Sequence, residues 1–454
     1  MKIIIVGAGE VGYNIANRLA SENKKVVIIE QNADAARRIQ EDLDVQVIIG
    51  SGSSPSILCE SGIKEADILL AVTDSDETNL VSCMVTNILS PGTKKLARLR
   101  NADFDSYHEH FCKKNPHIDT IINPETEVVN TIRKLMDVPG ALDVGDFVGG
   151  QVKYVGIRLD ETSPLTGMHL VDFHDKFGDD RPLIAAIIRN NEVIVPRGKN
   201  RLKANDLVYF VTHTQNLEKT LALFGIKIQP IQRAFIVGGG RIGARLAGIL
   251  EQEGIKTKII ESDIKRCQEL SLEVKKTVVL HGDGSDQNLF MEEGAGRSDV
   301  VVSVTNDDET NILVSLLARN LGVKTTVTRI GKSGYYPLLN TIGIEKVVSP
   351  RLSAVSSILQ DIRRGKVLSD ISIFGERGEF IEAVALETSD ITNRPLKKIS
   401  VPKGALLVCI VRHGEIIIPS GDSVVEPGDR IILFAVKQAV KKLEKLLTVK
   451  LDFF

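Results

Sequence analysis

Long hydrophobic runs are missing from this sequence of 454 residues. Apolar stretches such as "DILLAV" and "RIILFAV" fall far short of the roughly 18 residues that a helix needs to cross a bilayer. The sequence also enters "KIIIVGAG" without a basic leader or a small-residue cleavage site. We therefore expect no targeting segment and no direct membrane insertion, so that any role at a membrane depends on a partner.

The sequence also contains few cysteines and almost no excess of charge of one sign. The five cysteines lie far apart and form no Cys-x-x-Cys pair, a pattern typical of reduced cytoplasmic thiols rather than of disulfides or structural zinc. The 57 basic and 59 acidic residues leave a formal net charge of -2. This balance gives no general reason to expect nucleic acid or anionic lipid as the main ligand. We expect a cytoplasmic protein.

What the sequence does contain is a repeat. The pattern Gly-x-Gly-x-x-Gly at 7–12 returns 231 positions later at 238–243. Three further pairs of segments match in the same order: 66–80 with 298–312, 118–125 with 344–351, and 185–210 with 407–432. The chain is therefore a tandem duplication, in which each half contains a larger module followed by a smaller one.

The larger module alternates apolar segments of strand length with helical segments. Predicted strands of the first copy lie at 3–6, 26–29, 45–49, 67–72 and 119–122. Their nearly continuous apolar character indicates parallel strands that are buried on both faces. A first helix begins at the glycines with Ile15, Ala16 and Leu19 facing the sheet, and another begins at "SSPSIL", where Ser54 can cap and Pro55 suits the first turn. The pattern predicts an α/β fold with a doubly wound parallel sheet, present twice.

The smaller module has strand-like segments at 152–159, 183–189 and 207–211. The motifs "RNNEV" and "RHGEI" have the polar two-residue turns of β-hairpins, and Pro196 and Asp206 suit turns. We expect a small α+β module that dimerises or binds an effector. Because 454 residues exceed what one core supports, we predict four modules, namely two nucleotide-binding modules at 1–123 and 232–349 and two small modules at 142–226 and 370–454.

The spacing of the glycines is typical of nucleotide binding. The first glycine makes a tight turn, the second lets a pyrophosphate approach the backbone, and the third lets helix and strand pack closely. Each copy is followed, 18 residues after its last glycine, by a carboxylate at the end of the second strand, Glu30 or Glu261. An acid there accepts both ribose hydroxyls and repels a 2′-phosphate, so that NAD or ATP is favoured over NADP.

Enzymatic alternatives have weaker support in the sequence. The cluster "HEHFC" offers His108, Glu109, His110 and Cys112 as metal ligands, but only His108 and Cys112 share a helix face and the second half has no counterpart. Asp74, Asp76 and Glu77 can be interpreted as paired catalytic carboxylates, but "TDSDETN" and "TNDDETN" directly follow a strand, which favours helix capping and nucleotide contact. An NAD-dependent oxidoreductase stays open as the alternative, although no clear general acid or base is present.

The order of motifs resembles a known family. The series "VGAGEVG", "IIE", "GSGSSPSIL", "ADILLAVTDSDETN", "ARLR", "IDTIINPE" and "PGALDVGDFVGGQV", followed by a second set ending in "IPSGDSVVEPGDRIILF", is similar to the TrkA family of cytoplasmic regulatory subunits of Trk-type potassium uptake systems. The resemblance covers essentially the whole chain. It implies two tandem domains of the type that regulates potassium conductance, each made of a Rossmann module and a small C-terminal module, in a protein that is not an enzyme.

The resemblance also implies ligands and partners. NAD or NADH is the expected cofactor, with ATP or ADP as the alternative. The implied partner is the potassium-translocating membrane channel subunit of a Trk-type system, under which the Rossmann modules form a homo-oligomeric ring peripheral to the inner face of the cell membrane. Two glycine fingerprints in one chain then supply two positions of the ring.

Residue by residue, the resemblance implies a nucleotide site in each half. In the first half the implied contacts are Gly7, Ala8, Gly9, Glu10, Val11, Gly12, Glu30, Ser51, Thr73, Asp74 and Arg98. In the second half they are Gly238, Gly239, Gly240, Arg241, Ile242, Gly243, Glu261, Gly282, Asp283, Thr305, Asn306 and Arg329. The halves differ where Ser51 replaces the acid found at Asp283. Ordinary strand-end arginines are the alternative for Arg98 and Arg329, in place of a phosphate contact.

Overall fold

The computed structural model describes residues 1–101, 104, 107–113, 117–138, 140–178, 181–363, 367–373 and 377–447. The chain divides into two compact units. Unit 1 contains residues 1–128 and 349–362, and unit 2 contains residues 129–348 and 363–454. Among the helices of these described ranges, none is both long enough and apolar enough to span a lipid bilayer.

The secondary structure alternates strand and helix in two long stretches of the chain. In chain order the strands are β1 (Lys2–Val6), β2 (Lys25–Glu30), β3 (Gln46–Ile49), β4 (Ile68–Ala71), β5 (Lys94–Arg98), β6 (Thr120–Ile122), β7 (Ala141–Phe147), β8 (Val152–Arg158), β9 (Leu183–Arg189), β10 (Glu192–Ile194), β11 (Leu207–His213), β12 (Arg233–Val237), β13 (Lys256–Glu261), β14 (Val278–His281), β15 (Val300–Ser303), β16 (Thr325–Arg329), β17 (Val347–Val348), β18 (Val367–Ile373), β19 (Gly378–Val384), β20 (Ala405–Arg412), β21 (Glu415–Ile417) and β22 (Arg430–Val436). The α-helices are α1 (Glu10–Ser21), α2 (Ala33–Asp42), α3 (Pro55–Glu60), α4 (Asp76–Leu89), α5 (His108–Lys113), α6 (Pro124–Asp137), α7 (Phe173–Phe177), α8 (Leu217–Leu223), α9 (Arg241–Gln252), α10 (Ile264–Glu273), α11 (Gln287–Glu292), α12 (Asp308–Asn320), α13 (Tyr336–Thr341), α14 (Pro350–Arg363) and α15 (Lys437–Leu447).

Each half contains a doubly wound parallel sheet, which confirms the predicted fold class. The first sheet has the order β3-β2-β1-β4-β5-β6, and the second has the equivalent order β14-β13-β12-β15-β16-β17. The predicted strands of the first copy correspond to β1, β2, β3, β4 and β6. In both sheets the order reverses between the first and fourth strands, and a sheet of this kind binds its ligand in the crevice at the carboxyl end of that reversal.

The sequence-based prediction omitted β5, which begins with two lysines. The side chain of Lys95 is nevertheless only 1% exposed. Its Nζ donates to the carbonyl oxygens of Pro91 at 3.2 Å and Thr93 at 3.0 Å, and it lies 3.8 Å from the Asp119 carboxylate. A charge can be buried when such partners compensate for its lost hydration. Tertiary contacts therefore override the polar character of this strand.

Helix α1 begins at the glycines and buries Ile15, Ala16 and Leu19, as predicted. Pro55 lies in the first turn of α3, also as predicted. Ser54 occupies the N-cap position of that helix, but its side chain makes no capping hydrogen bond and pairs with the Ser56 hydroxyl at 2.9 Å instead. The expected position of the cap is confirmed, and its expected side-chain contact is wrong.

The core of unit 1 includes a helix from the far end of the chain. Ala354, Val355 and Ile358 of α14 belong to the same buried cluster as Val11 and Ile15 of α1. The Lys94 Nζ also donates to the carbonyl oxygen of Asp361 at 2.6 Å. The first parallel sheet is therefore covered partly by residues of the second half, a connection that no repeat in the sequence indicates.

The small modules form two five-stranded antiparallel sheets within unit 2. Their orders are β10-β9-β11-β8-β7 and β18-β19-β22-β20-β21. Tyr154 of the first sheet stacks on Phe380 of the second with ring centroids 5.0 Å apart, and both rings belong to one buried cluster. The predicted hairpin turns are confirmed, because Asn190 and Asn191 have φ values of 52° and 64°, as a two-residue turn of type I′ requires.

A partly exposed arginine and a buried aspartate form the same ion pair in each small sheet. The Arg189 Nε and Nη2 donate to the two carboxylate oxygens of Asp206, both at 2.7 Å. Arg412 binds Asp429 in the same bidentate way, at 2.9 and 2.8 Å. Asp206 also accepts from the Lys203 amide at 2.8 Å, as the turn prediction implied, but the sequence did not reveal its arginine partner.

Candidate nucleotide-binding sites

The first glycine turn has the backbone geometry that phosphate binding requires. Gly7 directly follows β1 and has a φ of +103°, which disfavours any residue with a side chain. A Cβ atom on Gly12 would collide with the carbonyl oxygen of Gly7, so that the helix can approach the strand only with glycine there. No atom lies within 4 Å of a Cβ built on Gly9, which leaves the middle of the turn open. Ala8 and Val11 are buried beside it.

Glu30 is held directly against this turn. Its Oε2 accepts a hydrogen bond from the Ala8 amide at 2.6 Å, and its Oε1 accepts one from the Asn32 amide at 2.7 Å. The carboxylate lies at the end of β2, next to the glycines, as the spacing predicted. An ionised carboxylate has about four lone-pair sites, so that the two amide donors leave part of the acceptor capacity of Glu30 unused.

The end of β4 forms the other wall of the first site. A Cβ on Gly7 would lie 3.0 Å from the backbone of Thr73, so that this residue and the turn are in contact. The Asn79 side chain accepts from the Thr73 amide at 2.9 Å and fixes the loop. The Arg98 Nη2 donates to the Thr73 carbonyl at 3.0 Å and to Asp74 Oδ1 at 2.7 Å. Burial lowers the pKa of the Arg98 guanidinium, and the hydrogen bond to Asp74 opposes that shift.

Ser51 lies just beyond β3, at the same carboxyl edge of the sheet. Its Oγ is 2.8 Å from the Ser53 Oγ. The neighbouring Gly52 has no room for a side chain, because a Cβ there would collide with Val6 of β1. This close approach brings the turn after β3 towards the strand that carries the glycines.

The second glycine turn repeats the first in detail. Gly238 has a φ of +109°, and a Cβ on Gly243 would collide with the Gly238 carbonyl oxygen. The space above Gly240 is open, as it is above Gly9. Arg241 begins α9, and Ile242 is buried in its first turn.

Glu261 contacts the second turn in the same way as Glu30 contacts the first. Its Oε2 accepts from the Gly239 amide at 2.7 Å, and its Oε1 accepts from the Asp263 amide at 2.9 Å. Gly239 differs from its counterpart Ala8, because a Cβ there would collide with Leu270. The two turns therefore share their polar contacts and differ in local packing.

Thr305, Asn306 and Arg329 form the wall of the second site. The Arg329 Nη1 donates to the Asn306 Oδ1 at 2.9 Å and to the carbonyl oxygen of Thr305. Asn306 is equivalent to Asp74, so that a neutral amide contacts the arginine in the second half where a carboxylate contacts it in the first. Both sites keep the arginine at the end of the fifth strand, but they surround it with different charge.

The turn after β14 carries Gly282 and Asp283. A Cβ on Gly282 would lie 2.5 Å from the end of the Leu289 side chain, so that Gly282 and Leu289 pack closely. Asp283 Oδ1 accepts from the Ser285 amide and hydroxyl, both at 2.8 Å. These hydrogen bonds lower the pKa of the Asp283 carboxyl. Asp283 therefore stabilises its own turn and keeps an exposed carboxylate at the site, which Ser51 does not provide in the first half.

Arg266 contacts the second glycine turn, and sequence reasoning missed it. Its Nε donates to the Gly239 carbonyl at 2.8 Å, and its Nη1 binds Glu273 at 2.7 Å and Glu269 at 2.9 Å. The hydrogen bond to Glu273 raises the pKa of the guanidinium. The position corresponds to Ala35 in the first half, so that comparison of the repeats gave no signal for it.

The carboxylates considered as a catalytic pair have structural partners. Ser75, rather than an acid, caps α4 by accepting from the Thr78 amide at 3.0 Å. Asp76 Oδ2 accepts from the amides of Arg100 and Asn101 at 3.0 and 2.8 Å. Hydrogen bonds from its own amide and from Ser75 lower the pKa of Glu77. The predicted capping role is therefore divided: Ser75 caps the helix, and Asp76 holds the loop after β5.

The "HEHFC" motif forms helix α5, but the side chains of His108 and Glu109 lie outside the described residues. Within the part of the chain that the structure describes, no three His, Cys, Asp or Glu side chains group in a way that could hold a metal ion.

Comparison with protein families matches both the fold and the repeat. The family model of the TrkA-N domain matches residues 3–124 and 234–350, and that of the TrkA-C domain matches residues 154–225 and 380–448. The chain belongs to the TrkA family. It is 37% identical over 458 residues to the Trk system potassium uptake protein TrkA of Azorhizobium caulinodans, with 100% of both chains covered. It is 36% identical to TrkA of Halomonas elongata over 458 residues, again with full coverage of both.

Solved structures with similar folds contain domains of the RCK type. The RCK domain of GsuK superposes with a TM-score of 0.61 at 19% identity, covering 98% of this chain and 94% of that one. The GsuK channel bound to NAD also gives a TM-score of 0.61, at 18% identity, covering 98% of this chain and 78% of that one. At this level of identity the similarity establishes the fold alone.

Proposed function

We propose that this chain is a non-enzymatic regulatory subunit that binds an adenine nucleotide at each of two sites and thereby controls potassium uptake through a separate membrane protein. The observation that supports this most directly is the pair of equivalent turns, each with a carboxylate on its amides and open space above its middle glycine. Relatives that match the full length are named as Trk system potassium uptake proteins.

NAD or NADH is the proposed cofactor, with ATP or ADP as the alternative. Glu30 and Glu261 retain acceptor sites for the hydroxyls of an adenosine ribose, and their charge disfavours a 2′-phosphate. The amino ends of α1 and α9, next to the open glycines, offer backbone donors to phosphate. GsuK structures with NAD and with ADP support the same classes of ligand.

The contact residues named from the sequence, and the four module boundaries, remain predictions.

Assembly into a ring requires a surface for a second copy. Helix α4 has an apolar face at Val81, Met84 and Ile88, whose spacing of three and four residues places them on one side. These residues are 40%, 43% and 78% exposed, and Leu313 of α12 is 52% exposed at the position equivalent to Val81. We propose that copies of the chain associate through these faces, peripheral to the inner face of the cell membrane and bound to a Trk-type channel subunit.

Potassium flux into vesicles that contain the channel subunit tests this function. We expect the flux to change when the protein is added and to change again between NAD, NADH, ATP and ADP. A nucleotide shifts the gate only if it binds one ring geometry more tightly, typically by about 1–3 kcal/mol. Flux that responds neither to the protein nor to any nucleotide, together with a monomeric mass in solution, would rule the proposal out.

The oxidoreductase alternative makes the opposite prediction about bound NADH. Because the sequence offers no clear general acid or base, we expect no oxidation of NADH by a panel of carbonyl metabolites above the background rate. The absorbance of the reduced nicotinamide band measures this directly. A saturable, substrate-dependent loss of that absorbance would favour an enzyme.

A further inference from the structure

A largely buried arginine from the second half of the chain lies at the first glycine turn. Arg351, in the first turn of α14, has a side chain that is only 13% exposed. Its Nη1 is 3.6 Å from the Glu10 carboxylate, a distance too long for a good hydrogen bond. The Arg351 Nε is buried and has no hydrogen-bond partner. The guanidinium therefore has donor capacity that the protein itself does not use.

Glu10, the ion-pair partner of Arg351, places a negative charge at the start of α1. It follows the open Gly9 and begins α1, where the helix dipole and the free amides favour an anionic ligand. A phosphate there would be repelled by the Glu10 carboxylate, which is 71% exposed. The second turn has Arg241 at the equivalent position, so that the two turns carry opposite charge where their helices begin.

We propose that Arg351 binds the phosphate of the nucleotide in the first site, exchanging Glu10 for the ligand as its partner. The inference rests on the proposed nucleotide binding and adds a residue that the repeat does not predict. Glu10 holds the guanidinium at the turn when the site is empty, and an anion on the turn replaces a loose ion pair by a charge-assisted contact.

The contact also links ligand binding to another part of the chain. Helix α14 follows β17 of the second parallel sheet in sequence and precedes β18 of the second small module. A phosphate bound to Arg351 therefore acts on a segment of the second half through the first site. Nucleotides that differ in phosphate charge would bias the position of α14 to different extents, which is what a sensor requires.

Calorimetric titration of the full chain with ADP and with adenosine tests the proposal. A Glu261→Ala background weakens the second site, so that binding at the first is measured. We expect Arg351→Gln to weaken ADP binding about tenfold and to leave adenosine binding unchanged, because adenosine has no phosphate. Arg351→Lys, which keeps the charge, is expected to lose less affinity for ADP.

Two further variants make the test specific. Glu10→Gln removes the competing carboxylate and is expected to tighten ADP binding about threefold. Lys64→Gln removes one positive charge just before β4, at the amino ends of the strands and therefore away from the glycine turn. This variant is expected to leave ADP binding unchanged. An unchanged ratio of ADP to adenosine affinity in Arg351→Gln would overturn the inference, whereas a wild-type chain that binds neither molecule would contradict the proposed function itself.

Discussion

Substituting alanine for Arg189 is expected to lower the free energy of unfolding by about 3 kcal/mol. The substitution leaves the Asp206 carboxylate, which is 1% exposed, without the cation that compensates for its burial. Removing one partner of a buried pair typically costs about 3–5 kcal/mol, and the partial exposure of Arg189 places the expected value near the lower end. Urea unfolding of the full chain, followed by circular dichroism, measures the change.

The equivalent ion pair in the second small sheet provides a second test of the same interaction, and an exposed ion pair provides a control. Arg412→Ala removes the equivalent partner of Asp429 and is expected to have a similar effect. Lys397→Ala removes an ion pair with Asp422 in which both side chains are largely exposed, and a change below about 0.5 kcal/mol is expected. Equal effects of Arg189→Ala and Lys397→Ala would show that the buried pair does not stabilise the small sheets.

Replacing Glu30 by alanine is expected to weaken nucleotide binding at the first site by about 2 kcal/mol, or roughly 30-fold. The substitution removes the acceptor for the ribose hydroxyls and also the acceptor for the amides of Ala8 and Asn32. Glu30→Gln, which keeps the shape of the side chain, separates the charge from the packing. Glu261→Ala is expected to act in the same way on the second site alone.

Calorimetry on the full chain measures both effects, because α14 of the second half packs on the first sheet and a separated first half would lack it. Glu65→Ala is the matched control, since Glu65 is 81% exposed and pairs only loosely with Lys2, at 3.7 Å. If Glu30→Ala and Glu261→Ala both bind adenine nucleotides as tightly as the wild type, the interpretation of the glycine turns is wrong.

The features that could be predicted from the sequence are those encoded within short segments. Apolar runs of strand length predicted β1, β2, β3, β4 and β6, and the polar dipeptides predicted both small-module hairpins. The glycine spacing, with the acid 18 residues later, predicted that Glu30 and Glu261 would lie at the turns. Each depends on local periodicity or turn chemistry, and duplication presents every signal twice.

The features that were missed depend on partners distant in the sequence. Lys95 fits a buried strand only because carbonyl oxygens and Asp119 surround its amine. Arg266 reaches the second turn from a position where the first half has alanine, so that the repeat conceals it. The arginine partner of Asp206 was missed because it lies 17 residues away in the sequence, at the end of β9.

The sequence by itself determined the α/β class, the duplication, the two glycine turns and the acid at each of them, because each follows from residues close together in the chain. Only the tertiary structure decided that α14 covers the first sheet and brings Arg351 to Glu10. Burial of apolar area is non-directional, so that a helix with a suitable apolar face can pack on either copy of a duplicated sheet. Which copy it covers is set by the sum of long-range contacts, and no local pattern contains that sum.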